Sequence, residues 1–218
     1  MRDLDEHRED TRRPSVGLVA CWSCQGPVPT GLLFCATCGV IQPPGQLDHF
    51  ARLDLEAGFD IDIAALDRRY FDCQRRLHPD RFANRGARER ALSQQQATCV
   101  NEAYETLKDP LRRADYLIHL RGTEALPEGC NLVNDQELLV ESLELREALA
   151  EAETITDVDA LHQRALNDIR DCVAGLSKAF ANDDVEQASL LTTRLKYLRK
   201  LDEETRVRRA QLAQTAVA

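Results

Sequence analysis

The chain has 218 residues, a net charge of −9, 43% hydrophobic residues and 30% charged residues. That balance is ordinary for a soluble globular protein of one or two domains with a real core. The acidic surplus weighs against a general nucleic-acid binder, and no apolar run approaches the roughly 18 residues of a membrane span. The opening MRDLDEHREDTRRPS has neither the apolar stretch of a signal peptide nor the acid-poor composition of a transit peptide. Residues 1–20 are therefore expected to be a disordered tail.

Residues 21–45 form a short cysteine module. CWSCQG and CATCG supply Cys21, Cys24, Cys35 and Cys38 as two C-x2-C pairs ten residues apart. Each pair can present two thiolates from one tight turn, and four thiolates at this spacing make a tetrahedral site. Zinc is the default ion, iron a lesser alternative, and a redox dithiol a third reading. Gly26 and Gly39 suit the positive φ that such knuckles need. A closed four-cysteine site would staple a segment too small to hold a core of its own. Pro43-Pro44-Gly45 then marks a boundary.

From Asp48 the pattern turns helical. DHFARLDL makes one short turn at most. In DIDIAALDRRYFDCQRRL, Ile63, Leu66, Tyr70, Cys73 and Leu77 form one helical stripe. His78-Pro79-Asp80 follows, so the helix should end near Leu77 or His78, and Asp80 is a good residue to start the next one. Leu92, Cys99, Ala103 and Leu107 fall on one face of that next helix, which Asp109-Pro110 closes. Two helices joined by a short loop must lie antiparallel to bury both stripes. LRRADYLIHLRG adds a further helix, stopped by Gly122, and residues 122–133 read as a linker.

Three long amphipathic segments fill 134–214. The first, roughly 134–151, buries Leu138, Leu145 and Leu149. The second carries Val158, Leu161, Ala165, Ile169, Cys172, Leu176 and Phe180 on one stripe. The third starts near Asp184 and includes Leu191, Leu195, Leu198 and Leu201. Nothing here reads as a sheet, so the expected fold is all-α: a helical hairpin followed by an antiparallel three-helix bundle, preceded by the tetracysteine module. The scattered Cys73, Cys99, Cys130 and Cys172 read as buried free thiols. His49, His119 and His162 have no ligand or triad spacing, and catalytic constellations are otherwise absent, so no enzyme activity is expected.

Arg68, Arg69, Arg75 and Arg76 lie on the helix before the turn, and Arg81 lies after it. Spacings of seven return to nearly one face, so these residues form a basic ridge that leads into His-Pro-Asp. In an acidic chain such a ridge stands out.

FARLDLEAGFDIDIAALDRRYFDCQRRLHPDRF with NEAYETLKDPLRRADYL resembles a J domain, here residues 46–121. ELLVESLELREALAEAE and RLKYLRKL resemble the C-terminal domain of HscB, the co-chaperone family of iron–sulfur cluster assembly. The cysteine module is similar to that of the animal-type members. Arg81 stands where the family most often has lysine, with the charge kept. The resemblance implies that His78, Pro79 and Asp80, with Arg68, Arg69, Arg75, Arg76 and Arg81, dock on a DnaK-type (HscA-like) chaperone and favour its ATP-hydrolysing conformation. It implies further that Leu139, Val140, Leu143, Glu144, Glu147, Glu151 and Tyr197 bind an IscU-like scaffold protein. Leu139, Val140 and Leu143 are surplus apolar residues beside the buried stripe, which gives that face independent support; a wider core face is the plain alternative.

A general J-domain protein or a zinc-module adaptor for another client is the alternative function. A nucleic-acid adaptor is disfavoured, because the cysteine module has no lysine or arginine between residues 14 and 51. Neither nucleic acid nor membrane is an expected partner. The acidic N-terminus fits a bacterial cytoplasm, with a processed mitochondrial matrix form as the alternative.

Overall fold

The computed structural model describes residues 17–121 and 136–215. Most of the expected tail, the linker and Cys130 lie outside the described residues. Leu18–Ala20, expected in the tail, instead form a strand, β1, which pairs antiparallel with β2, Pro27–Pro29. Three residues per strand are too few for a period-2 pattern to register in a sequence, and two of those in β2 are prolines. A two-stranded ribbon tolerates them because both of its strands are edges.

Helix α1 is His49–Arg52, capped by the Asp48 carboxylate, which accepts from the Ala51 amide at 2.8 Å. Helix α2, Ile63–Leu77, starts on Asp62 and stops where Pro79 requires it. His78, at φ −53° and ψ 131°, is in the extended geometry that a following proline imposes. Pro79–Phe82 form one 3-10 turn, and α3 begins only at Ala87 behind Gly86. Asp80 therefore does not start the next helix. Phe82 is drawn into the core at 6% exposure, and that holds the chain in the tighter turn first. The two stripes meet, with two changes: Leu66 and Leu77 of α2 pack with Leu92, Ala103 and Leu107 of α3, Ala87–Lys108, but Val100 takes the buried place expected for Cys99, and Ile63, in the first turn of α2, is 39% exposed.

Asp109 caps α4, Pro110–Leu120, by accepting from the amides of Leu111 and Arg112. The second half holds α5 (Gln136–Glu151), α6 (Ile155–Ala181) and α7 (Val185–Thr215). Thr154 and Asp157 make a capping box at the start of α6. Helices α6 and α7 form a long antiparallel hairpin, and α5 closes one end of it over Leu145, Leu149, Ala152, Val158, Ala165 and Leu201. No helix among the described residues is long and apolar enough to cross a membrane.

The main core is continuous from the α2–α3 hairpin into the base of the bundle. Leu117 and Ile118 of α4 share it with Leu176, Phe180, Leu195 and Leu198. Phe59 stacks on Phe180 with ring centroids 5.2 Å apart, with Arg113 over the Phe59 ring at 4.9 Å and Arg121 over the Phe180 ring at 5.1 Å. Asp109 pairs with Arg199 at 2.6 Å and Asp115 with Lys196 at 3.4 Å. The hairpin is thus seated on the bundle by packing and by ion pairs. Of the scattered cysteines, Cys172 is fully buried, whereas Cys73 and Cys99 are only half-buried. Burial pushes the Cys172 thiol up to about 11.

Candidate metal centre and docking surfaces

Each C-x2-C pair sits in the turn of a hairpin: residues 21–26 join β1 to β2, and residues 35–40 are closed by an antiparallel bridge between Phe34 and Ile41. The Cys21 amide donates to the Gly26 carbonyl at 2.8 Å, and the Cys35 amide to the Val40 carbonyl at 2.9 Å. Gln25 and Gly39 donate back to the carbonyls of Cys21 and Cys35, so both turns close in the same way. The positive φ falls four residues after the first cysteine of each pair: 62° at Gln25 and 72° at Gly39. Gly39 meets the expectation, and Gly26 does not. Gly26 serves close approach instead, since a Cβ there would lie 3.3 Å from both the Cys24 sulfur and the Thr37 hydroxyl.

All four sulfurs lie within 4.8 Å of one another, with Cys21–Cys38 and Cys24–Cys35 both at 3.7 Å. Metal–sulfur bonds of about 2.3 Å in a tetrahedron require edges of about 3.8 Å. The donor set therefore fits a metal ion held by four thiolates. Its electrostatics point the same way. Burial resists ionisation of Cys21, but the amides of Cys24 and Ser23, the Cys38 thiol and the Gln42 side chain outweigh it and lower the thiol to about 6. Cys38 keeps a favourable Val40 amide, yet partial desolvation among the clustered side chains and the other three sulfurs push it up to about 12, although the residue itself is exposed.

The module packs on the hairpin. Trp22, Leu33 and Phe34 lie against the main core, which Ile41 joins directly. The Trp22 indole donates to the Ile41 carbonyl at 2.7 Å. Arg88 of α3 sits over the Trp22 ring at 4.3 Å, and Arg76 of α2 over Phe34 at 5.1 Å. A cleft between module and turn is lined by Cys38, Phe34, Arg76, Arg81 and Arg85. The module lacks basic residues of its own, but the fold brings these arginines to it, a juxtaposition that a reading along the chain misses.

His78, Pro79 and Asp80 are all exposed at the tip of the α2–α3 hairpin. The His78 ring accepts from the Asp80 amide at 3.3 Å, and its Nδ1 lies 3.6 Å from the Asp80 carboxylate. The turn is held from below. The buried Ser93 hydroxyl donates to the Leu77 carbonyl, the last of α2, at 2.7 Å. Nothing in the sequence marked Ser93. Arg68 and Arg75 project from the outer face of α2 on either side of Phe71, which is 58% exposed and which the sequence reading also passed over. Three of the ridge arginines have a nearby acid, Arg68 with Asp62 at 3.6 Å, Arg69 with Asp54 at 2.8 Å, and Arg75 with Asp72, whereas Arg81 donates to the Arg75 carbonyl at 3.4 Å.

On α5, Leu138, Leu145 and Leu149 are buried as expected. Helical spacing puts Leu139, Leu143, Glu147, Val140, Glu151 and Glu144 on one contiguous arc on the opposite side. Val140 is 47% and Leu143 56% exposed, the three glutamates are exposed, and Leu139 is half-buried at the edge. Tyr197 lies in the neighbouring groove between α5 and α7, with Leu138, Leu145 and Leu198. Glu141 and Arg194 bridge that groove at 2.7 Å.

An antiparallel hairpin that presents His-Pro-Asp at its tip, and shares its core with a helical bundle, places the chain among the J-type co-chaperones. Residues 134–206 match the family model of the HSCB C-terminal oligomerisation domain. The human iron–sulfur cluster co-chaperone protein HscB is 34% identical over 196 residues, covering 88% of this chain and 83% of the human protein. The crystal structure of human HscB superposes with a TM-score of 0.82 at 34% identity, over 87% of this chain and 98% of that one. The HscB chaperone from Vibrio cholerae gives 0.67 at 34% identity, over 76% of this chain and 99% of its own. The chain belongs to the HscB family of iron–sulfur cluster co-chaperones.

Proposed function

We propose that this protein binds an iron–sulfur cluster scaffold protein through the outer face of α5, delivers it to a DnaK-type chaperone, and stimulates that chaperone's ATPase. The observation that carries the reading is the exposed His78-Pro79-Asp80 turn, braced by Ser93 and flanked by the arginine face of α2. A turn held rigidly from beneath and left bare above is built for contact. In the complex, Asp80 pairs a basic group of the chaperone, while Arg68, Arg75 and Arg81 meet its acidic surface and contribute orientation and association rate more than affinity. The acids now paired with Arg68 and Arg75 are themselves exposed, so exchanging them for a partner's acids costs little. The protein performs no bond chemistry in this scheme. It binds one chaperone conformation better than the other and shifts the population toward the one that hydrolyses ATP.

The fixed seating of the hairpin on the bundle supports a delivery role, since cargo held at α5 keeps one position relative to the turn. Leu139, Val140 and Leu143 would supply apolar anchors, with Glu144, Glu147 and Glu151 as an acidic rim and Tyr197 at the groove edge. The tetracysteine centre holds zinc as a structural ion, the common choice for a closed four-thiolate site. Binding of the chaperone to immobilised protein tests the reading. Binding is expected with ATP-loaded chaperone, much less with its ADP form, and is lost in His78→Gln. Equal binding of both nucleotide states would overturn it.

A further inference from the structure

Cys21 is the one ligand of the tetracysteine centre with 0% exposure, so water cannot offset the charge on its sulfur. Besides the Cys24 amide of the same knuckle, two groups from residues that are not ligands do so: the Ser23 amide and the side-chain amide of Gln42, each 3.4 Å from Cys21 Sγ. Both distances suit an N–H···S hydrogen bond. The first is a by-product of the knuckle backbone. The second is not. Gln42 is 4% exposed, among buried apolar neighbours where an amide is costly unless it is bonded. Its Nε2 donates to the Val40 carbonyl at 3.0 Å in the second knuckle and turns its other hydrogen toward Cys21 Sγ, with the Ile41 carbonyl a further acceptor at 3.4 Å. The backbone carbonyl of Gln42 in turn accepts from Nε2 of Gln96 at 2.9 Å, and Gln96 is a 2% exposed residue of α3. A chain of hydrogen bonds therefore runs from a buried helix of the hairpin, through Gln42, to the most buried sulfur of the metal site.

We propose that Gln42 is a positioning residue of the metal centre: its side-chain amide stabilises the Cys21 thiolate, and Gln96 holds Gln42 in place from α3. The inference rests on the reading of the four cysteines as a metal site. A divalent ion with four thiolates carries a net charge of −2, so donors to sulfur count most where solvent is excluded. Cys24 and Cys38 are exposed and can be hydrated; Cys21 depends on the protein. Metal retention is thereby linked to the fold of α3. The same buried face of α3 carries Ser93, one turn before Gln96, which holds the end of α2 at His-Pro-Asp.

The test uses the full chain loaded with cobalt(II), whose thiolate charge-transfer band reports on the sulfurs, together with chelator competition for zinc. Gln42→Met keeps the bulk and removes the donor. It is expected to weaken metal retention about 10- to 100-fold, the usual effect of losing such a partner, and to shift the charge-transfer band. Gln96→Met is expected to act in the same direction by a smaller factor, and Ser23→Ala, which leaves its backbone amide in place, to change neither readout. A purely space-filling role for Gln42 would lower stability without moving the band. Wild-type affinity and an unmoved band in Gln42→Met overturn the inference. Gln96→Met alters no residue of the module, so it decides the question if Gln42→Met does not fold; wild-type values there overturn it equally. Failure of the unaltered protein to bind cobalt or zinc is a different result, which removes the metal reading itself.

Discussion

Replacing Leu139, Val140 and Leu143 together with alanine separates a docking face from a core face in one variant. Val140 and Leu143 are each about half exposed in the free protein, at 47% and 56%. Full burial of such a side chain is worth about 1.5–3 kcal/mol. Roughly half of that is already realised within the protein, and the other half becomes available only when a partner covers the face. Three side chains at about 1 kcal/mol each give about 3 kcal/mol of lost binding, or about a hundredfold in Kd. The cost to folding is at most similar, and it is reduced by the higher helix propensity of alanine over valine. Truncating the neighbouring Leu145, which is 5% exposed, should instead cost about 2–5 kcal/mol of stability. Calorimetry with the scaffold protein and denaturant unfolding of the same samples provide both numbers. The expected result is a large loss of affinity with a modest shift of the unfolding midpoint, while Leu145→Ala shows a large shift of the midpoint. Scaffold affinity within threefold of wild type in a folded triple variant would refute the reasoning.

Other outcomes follow from the same geometry. His78→Gln should lose chaperone stimulation while its thermal midpoint stays within a degree or two, since the ring is exposed; a collapse of the midpoint would make the histidine structural. Ser93→Ala leaves the buried Leu77 carbonyl without its partner and should cost about 1–3 kcal/mol in denaturant titrations, with weaker stimulation because the turn is no longer braced. Elemental analysis should find one metal ion per chain. Its ligands must be thiolates, so protons compete with the ion and it should be released progressively as the pH falls; metal content independent of pH down to strong acid would contradict this. Burial works against the Asp109 carboxylate, but the Arg112 amide and Arg199 outweigh it and hold its pKa below the ordinary carboxylate value. Its stabilisation is therefore present at neutral pH and lost in acid, and Asp109→Ala should cost about 1–2 kcal/mol near pH 7, with the deficit vanishing at low pH.

What could be read in advance follows from how local each signal is. Helix α2 and the three long helices of the second half announce themselves by the spacing of their apolar residues, and Leu138, Leu145 and Leu149 fall inward as that spacing requires. The cysteine pairs are equally local. Asp80 misled because a good capping residue says nothing of the buried Phe82 two places on, whose packing sets the 3-10 turn. Gly26 misled because a glycine can serve either φ or clearance, and the sequence does not say which. Gln42, Ser93 and Gln96 carry no pattern at all. Their roles arise only when segments as far apart as 54 residues meet. The same holds for Arg76 and Arg88, which find Phe34 and Trp22 across the fold.

The most direct test of the account is the steady-state ATPase rate of the cognate DnaK-type chaperone, measured with this protein, with the scaffold protein, and with both. Stimulation is expected with this protein alone, with a further increase when the scaffold is added, loss of both effects in His78→Gln, and loss of only the further increase in the Leu139/Val140/Leu143 triple variant. An ATPase rate that this protein leaves unchanged, with or without the scaffold, would contradict it.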